Sequence, residues 1–358
     1  MKHWIKRHGK LHLWLLTLGV LFLGYRWVID NRSAANAVVA VTQRLKETFA
    51  ALWYIIPFSV VEWLYVAFIL GCIVFVVMLV IRVCKSSEKW HTLYGGVLFL
   101  VCVCLGVWWY YCMMWGVNYY ADGFQEKSGI YAEPVTVEEL ERVATEFAIH
   151  LAEIADEVVR SEDGVFAVDR GEIFAYSPYV YDNLSEEFAF LENEDRVPKK
   201  MVFSRLFSRM NFTGFYTPFT GESNLNVDSP ACLLPANIAH ELAHQRGIAS
   251  EQECNFLAIL AATTCEDVNY RYSGYLMGYI HLSNALYRAD KARWRTVYDL
   301  LPEVVIADLR YHSAYWAQFE GKTAEVSQKI YDTTLKGYGQ TAGIRSYGTV
   351  VDLLVAYY

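Results

Sequence analysis

The chain has no CxxC pair and no cysteine–histidine spacing of the kind that holds a structural zinc ion. It has no glycine-rich phosphate loop, internal repeat or low-complexity segment. These absences argue against zinc ribbons, nucleotide-dependent phosphoryl transfer and solenoid architectures. Its eight cysteines do not form a disulfide framework. Five of them (Cys72, Cys84, Cys102, Cys104, Cys112) fall in apolar runs, where a thiol behaves as a small apolar group. Of the other three, Cys254 and Cys265 are too far apart on one helix to bridge, which leaves Cys232 with Cys265 as the possible pair. A basic arm for nucleic acid is also missing. The lysines and arginines at the N-terminus flank an apolar run, and the bulk of the chain is acidic, so no nucleic-acid partner is expected.

Apolar length is abundant. Hydrophobic residues make up 54% of the 358 and aromatics 16%, more than a soluble chain of this size needs. Three runs, about 11–29, 63–83 and 92–115, each supply the roughly 20 residues that cross a bilayer core. The first follows MKHWIKRHGK and has the look of a signal peptide, but it lacks a small-residue cleavage site, and further spans follow it. An uncleaved anchor is expected. Pro57 and Glu62 make 51–62 an interfacial lead-in.

Charge divides the chain as well. Up to residue 116 there are eleven lysines and arginines against four acids, and from 117 onward twenty against thirty-five. Two domains follow: a membrane domain over 1–116 with three transmembrane helices, and a second domain over 117–358. Lys2, Lys6, Arg7 and Lys10 flank the first span, and Arg82, Lys85 and Lys89 lie between the second and third. The positive-inside rule puts both groups in the cytoplasm and residues 117 onward outside it. Arg32, Arg44 and Lys46, in what reads as a loop between the first two spans, pull weakly the other way.

The second domain reads as mainly helical. Thr136 and Glu139 have capping-box spacing at the head of an amphipathic run over 136–160, and helical patterns recur over 199–210, from Pro235, over 271–289, 303–319 and 323–337. The segment NFTGFYTPFTGESNLN (211–226) is rich in aromatics, threonines and turn residues, which suits strands.

The chemistry gathers in HELAHQRGIASEQECN (240–255). His240 and His244 are four apart, so on a helix both imidazoles project from one face and can reach a single ion. Glu241 completes HExxH, in which two histidines hold Zn²⁺ and the glutamate, not itself a ligand, is general base towards water. Pro235 suits the helix's first turn and Gly247 its end. Ser250 then reads as the N-cap of a second helix, which returns Glu251 and Glu253 to the histidines. A zinc site with two histidines needs a third protein ligand and an open position. Successive helical residues are about 100° apart, so the two acids point to nearly opposite sides. Glu253 stands where a capping box reaches back to Ser250, whereas Glu251 shares a face with Asn255 and lies near that of Ala258 and Ala262. Glu251 is therefore the expected third ligand.

HExxHxxGxxxE followed by ExxxN resembles the gluzincin zinc peptidases, whose third ligand is a Glu followed four residues later by Asp. The membrane-embedded CAAX proteases have a related ExxAD. Here the acid position is Asn255, which can orient a ligand by a hydrogen bond but brings no charge. A wider resemblance takes in the three spans, GFYTPFTGESN, LPxxxAHELAHQRGIASEQECNFLA, RYSGYL and SYGTVVDLL. Together these look like an uncharacterised bacterial membrane-protein family, a domain of unknown function grouped with zinc metallopeptidases.

The resemblance implies the zincin class, with one Zn²⁺ and hydrolysis of peptide bonds, but brings no particular substrate. The charge reading would put this chemistry at the outer face of the cytoplasmic membrane, on a peptide or protein substrate. His240, His244 and Glu251 would be ligands, Glu241 the base, and Asn255 or Glu253 their support. Tyr272, Tyr275 and Tyr347 are candidates to stabilise an oxyanion, a signal diluted among twenty-six tyrosines. The 211–226 segment would offer an edge to a substrate backbone. His281 and His312 lack ligand spacing and read as structural. The alternative function is a non-catalytic membrane scaffold or sensor with a structural zinc, in which Cys254 or Glu253 would add a ligand. Sequence assigns neither a cleavage preference nor an oligomeric state.

Overall fold

The computed structural model describes residues 7–337 and 347–358. The chain divides into two compact units. One comprises Met1–Trp53, Val60–Ala121 and Pro218–Thr220, and the other Tyr54–Ser59, Asp122–Thr217 and Gly221–Tyr358. The chain is mostly helical.

The first unit holds α1 (Gly9–Ile29), α2 (Arg32–Trp53), α3 (Val60–Lys85) and α4 (Lys89–Met114). Helices α1, α3 and α4 are long and apolar enough to cross a membrane. On α3 the large side chains of Ile69, Leu70 and Val80 are all more than half exposed. Such a surface suits lipid and is unusual in water. Leu18 of α1 packs with Leu98 and Cys102 of α4.

Residues 32–53, expected as a loop, are a helix of 22 residues. Its buried positions are Ala35, Thr42, Lys46 and Ala50, one stripe of small and polar side chains. Hydropathy is blind to a stripe of that composition. Lys46 is 1% exposed and lies over the Trp115 ring, 4.9 Å from its centroid, so it is not a free loop charge bearing on topology.

The second unit continues with α5 (Phe124–Ser128), α6 (Val137–Ile154), α7 (Arg170–Tyr176), α8 (Asp182–Glu187), β1 (Lys199–Lys200) and α9 (Ser204–Arg209). The hairpin strands β2 (Gly214–Thr217) and β3 (Glu222–Leu225) follow, then α10 (Leu234–Gln245), α11 (Glu251–Thr264) and α12 (Val268–Ala289). The chain ends with α13 (Lys291–Tyr298), α14 (Glu303–Ala317), α15 (Lys322–Gly337) and α16 (Tyr347–Tyr357).

Thr136 and Glu139 form the expected capping box, but α6 stops at Ile154, short of residue 160. The basic pair opening the expected 199–210 helix is instead β1, parallel to β3, in a sheet of order β1-β3-β2. Helix α11 is the central element of this unit. Phe256 to Ala262 are all fully buried, as befits a helix apolar around its whole circumference. It packs between α10 and α12 and joins one core with Phe147 and Leu151 of α6 and Leu276 and Leu282 of α12. Cys232 and Cys265 are both free thiols, and Cys265 donates to the carbonyls of Ala262 and Asp267. The disulfide considered from sequence is not formed.

Candidate metal centre

Helix α10 begins with Pro235 in its first turn, where a missing N–H is harmless, and ends before Gly247, whose φ of 82° closes the helix in a conformation that favours glycine. Ser250 then caps α11, its hydroxyl accepting from the Glu253 N–H. This turn sets Glu251 against the two histidines. Its Oε2 lies 3.2 Å from His240 Nε2, and its Oε1 lies 3.6 Å from His244 Nε2.

Each imidazole is oriented from behind. His240 Nδ1 donates to Asn255 Oδ1 at 2.9 Å, and His244 Nδ1 donates to the Ile248 carbonyl at 2.8 Å. With both Nδ1 atoms so committed, both Nε2 atoms face Glu251. Histidine ligands in metal sites are commonly fixed in this way. Asn255 thus orients His240, which its amide can do without charge.

Electrostatics agrees. Burial works against the charge of Glu251, but His244, His240 and the hydroxyl of Tyr331 outweigh it and hold its carboxyl at about 2. Burial also opposes charging of His240, yet Glu251, Glu241 and Asn255 together raise it. The two imidazoles and the Glu251 carboxylate are thus electrostatically coupled.

Glu241 is 3% exposed, and its Oε2 has no hydrogen-bond partner. Burial pushes its carboxyl up to about 8, with His240 pulling it down and Glu251 adding to the rise. The strands close around it. A Cβ at Gly214 of β2 would stand 2.5 Å from Glu241 Oε1 and 3.0 Å from the Asn224 carbonyl, so a side chain here would push the Glu241 carboxylate from its present place. Two residues along the same face of β2, the Tyr216 ring lies 6.5 Å from that of His244. Ser223 of β3 donates to the Glu241 carbonyl at 3.0 Å and accepts from Gln245 Nε2 at 3.2 Å, fastening the sheet to α10. Behind it, Lys199 pairs with Glu222 in full burial, and Tyr54 accepts from the Ser223 N–H at 3.2 Å.

Other expectations meet a different arrangement. The Glu253 carboxylate does not reach back to Ser250. It accepts from the backbone N–H groups of Phe124 at 2.9 Å and Gln125 at 3.1 Å, capping α5 from another part of the chain. Tyr272 is fully buried and donates to Asp308 at 2.5 Å, and Tyr275 packs against the rings of Phe147 and His150. Neither hydroxyl is brought to the histidines. Tyr347 opens α16, but its side chain lies outside the described residues.

His312 accepts from the Trp316 indole, a structural role. His281, read as structural, sits within electrostatic range of His240, which adds to the effect of burial in taking its pKa down to about 4. Cys254 offers Sγ within 4.8 Å of ligand atoms of both His240 and His244. It lies 3.3 Å from His244 Nδ1, the ring nitrogen already committed to Ile248, and donates to the same carbonyl. Burial raises its thiol well above the ordinary range.

One participant had no motif to announce it. Tyr331 of α15 donates to Glu251 Oε1 at 2.5 Å, eighty residues along the chain.

The molecule is thus a mostly helical protein with, among the described residues, three helices able to cross a membrane, and with a partly buried His–His–Glu cluster in its second unit. A family model described as "Protein of unknown function (DUF3810)" matches residues 40–355, and the chain belongs to that family. Comparison with curated proteins and with solved structures gives no match.

Proposed function

We propose that this protein is an integral-membrane zinc endopeptidase with a zincin-like second domain. The observation that carries the reading is the convergence of two Nε2 atoms on Glu251, both rings anchored through Nδ1, beside a buried Glu241 with an unpartnered oxygen. His240, His244 and Glu251 would hold one Zn²⁺. Bound there, it would polarise the scissile carbonyl and bring a water molecule's pKa near neutrality.

Glu241 accepts the proton of the attacking water at Oε2 and returns it to the departing amine. A scaffold needs no such base. Strand β2 lies at the edge of the sheet beside both Glu241 and His244, so an extended peptide can pair with it as an added strand. Such pairing binds backbone and asks little of side chains.

The second reading is a scaffold or sensor with a structural zinc, favoured by Cys254. That thiol lies 3.3 Å from His244 Nδ1, the nitrogen that bonds Ile248, and itself donates to the same carbonyl, whereas the Nε2 atoms face Glu251. The oriented rings therefore support the peptidase.

The ligand assignment makes a paired prediction. Glu251→Ala loses zinc at neutral pH. Glu253→Ala keeps it and loses about 1–3 kcal/mol of stability, because two backbone N–H groups are left without their acceptor. Zinc stoichiometry and urea denaturation of the two variants check this, and metal lost from the 253 variant but kept by the 251 variant reverses the assignment.

The basic residues around the first span and between α3 and α4 support a cytoplasmic-membrane protein with its catalytic domain outside. A reporter active only outside the cytoplasm is expected to be active when fused after residue 120 and silent at residue 87. The opposite pattern would put the proposed chemistry in the cytoplasm.

A further inference from the structure

Helix α15 is lightly held. Of its sixteen residues only Ala324 and Leu335 are buried, while Val326 and Ile330 are 58% and 63% exposed. Yet from this helix Tyr331 enters the metal centre, its hydroxyl donating to Glu251 Oε1 and its ring standing edge-on to Phe212 at 5.4 Å.

That bond makes the two carboxylate oxygens of Glu251 unequal. Oε1 accepts the phenol's hydrogen bond and lies 3.6 Å from His244 Nε2, whereas Oε2 faces His240 Nε2 at 3.2 Å without such a cap. A capped oxygen is the poorer ligand, and the cap also fixes the rotation of the carboxylate. The other contacts of the Glu251 carboxylate, among the described residues, are with the two histidines themselves.

We infer that Tyr331 is a positioning residue for the metal centre: it holds Glu251 through Oε1 so that Oε2 meets the ion, and the same bond moors α15 over the site. The inference rests on the zinc reading above. Hydrogen-bond partners of ligands commonly govern metal affinity as well as ligand orientation. Coupling is reciprocal, so whatever α15 contributes to metal affinity through Tyr331, bound metal returns as order in α15. Were Tyr331 a packing residue only, its ring would matter and its hydroxyl would not.

Tyr331→Phe separates the two roles, because the ring against Phe212 is retained. The full-length protein, wild type and variant, is titrated with zinc against a chromogenic chelator, and amide exchange over 322–337 is followed with and without zinc. Zinc affinity is expected to fall by about 10- to 100-fold in the variant. Zinc should slow exchange over 322–337 in the wild type and much less in the variant. Tyr311→Phe, at an exposed position on α14, is the control and should change neither readout.

Wild-type affinity in Tyr331→Phe, or equal slowing of α15 by zinc in both proteins, overturns the positioning role and leaves the zinc reading intact. Failure of the wild type to bind zinc removes the zinc reading, and the positioning role falls with it.

Discussion

Glu241→Gln is expected to bind zinc as the wild type does and to hydrolyse peptides about two to four orders of magnitude more slowly, the loss associated with a missing general base. The substitution is nearly isosteric, which matters here. Glu241 is almost wholly buried, and Oε1 faces the backbone of Gly214 so closely that a Cβ there would displace it. An amide has the same outline but cannot take up a proton in this role. Because Glu241 is not among the groups proposed to hold the ion, metal content should not change. Initial rates on a peptide library and elemental analysis of the same preparations check both halves. Undiminished turnover would remove Glu241 from the mechanism, and lost metal would make it a ligand.

The largest effect on stability is expected far from the histidine pair in sequence. Asp308 is fully buried. One of its oxygens accepts from Tyr272 and from Arg160 at 3.0 Å, the other from the Phe166 N–H at 2.7 Å. Arg160 also donates to the carbonyls of Ala155 and Gly164. Asp308→Ala would leave a nearly buried guanidinium without its counter-charge and two further donors without an acceptor. Removing one partner of a buried pair costs about 3–5 kcal/mol. The midpoint of urea denaturation should fall accordingly, and a shift below about 1 kcal/mol, the scale of an exposed pair, would contradict the importance given to this network.

The residues that could be read in advance are those whose partners are near in sequence. The three spans, the Thr136 capping box, the Pro235–Gly247 helix, the Ser250 cap and the hairpin over 211–226 each depend on neighbours within a few positions. The 100° turn per residue also separated Glu251 from Glu253 in direction, and the structure has them facing different partners.

What could not be read depends on long-range closure. Glu253 has ideal capping-box spacing, but the N-terminus of α5 supplies two donors that no local pattern encodes. Tyr272 and Tyr331 are indistinguishable as letters, and only tertiary packing gives one to Asp308 and the other to Glu251. Helix α2 was hidden because its buried stripe includes Thr42 and Lys46, residue types that ordinarily mark a solvated surface.

The decisive measurement is hydrolysis of a peptide library by the purified full-length protein, first as isolated, then after chelation, then after zinc is restored, with bound zinc counted at each stage. Cleavage that accompanies one zinc per chain, stops on chelation and returns with the metal is the predicted result. One tightly held zinc per chain with no cleavage at any stage would contradict the peptidase and leave a structural metal site in its place.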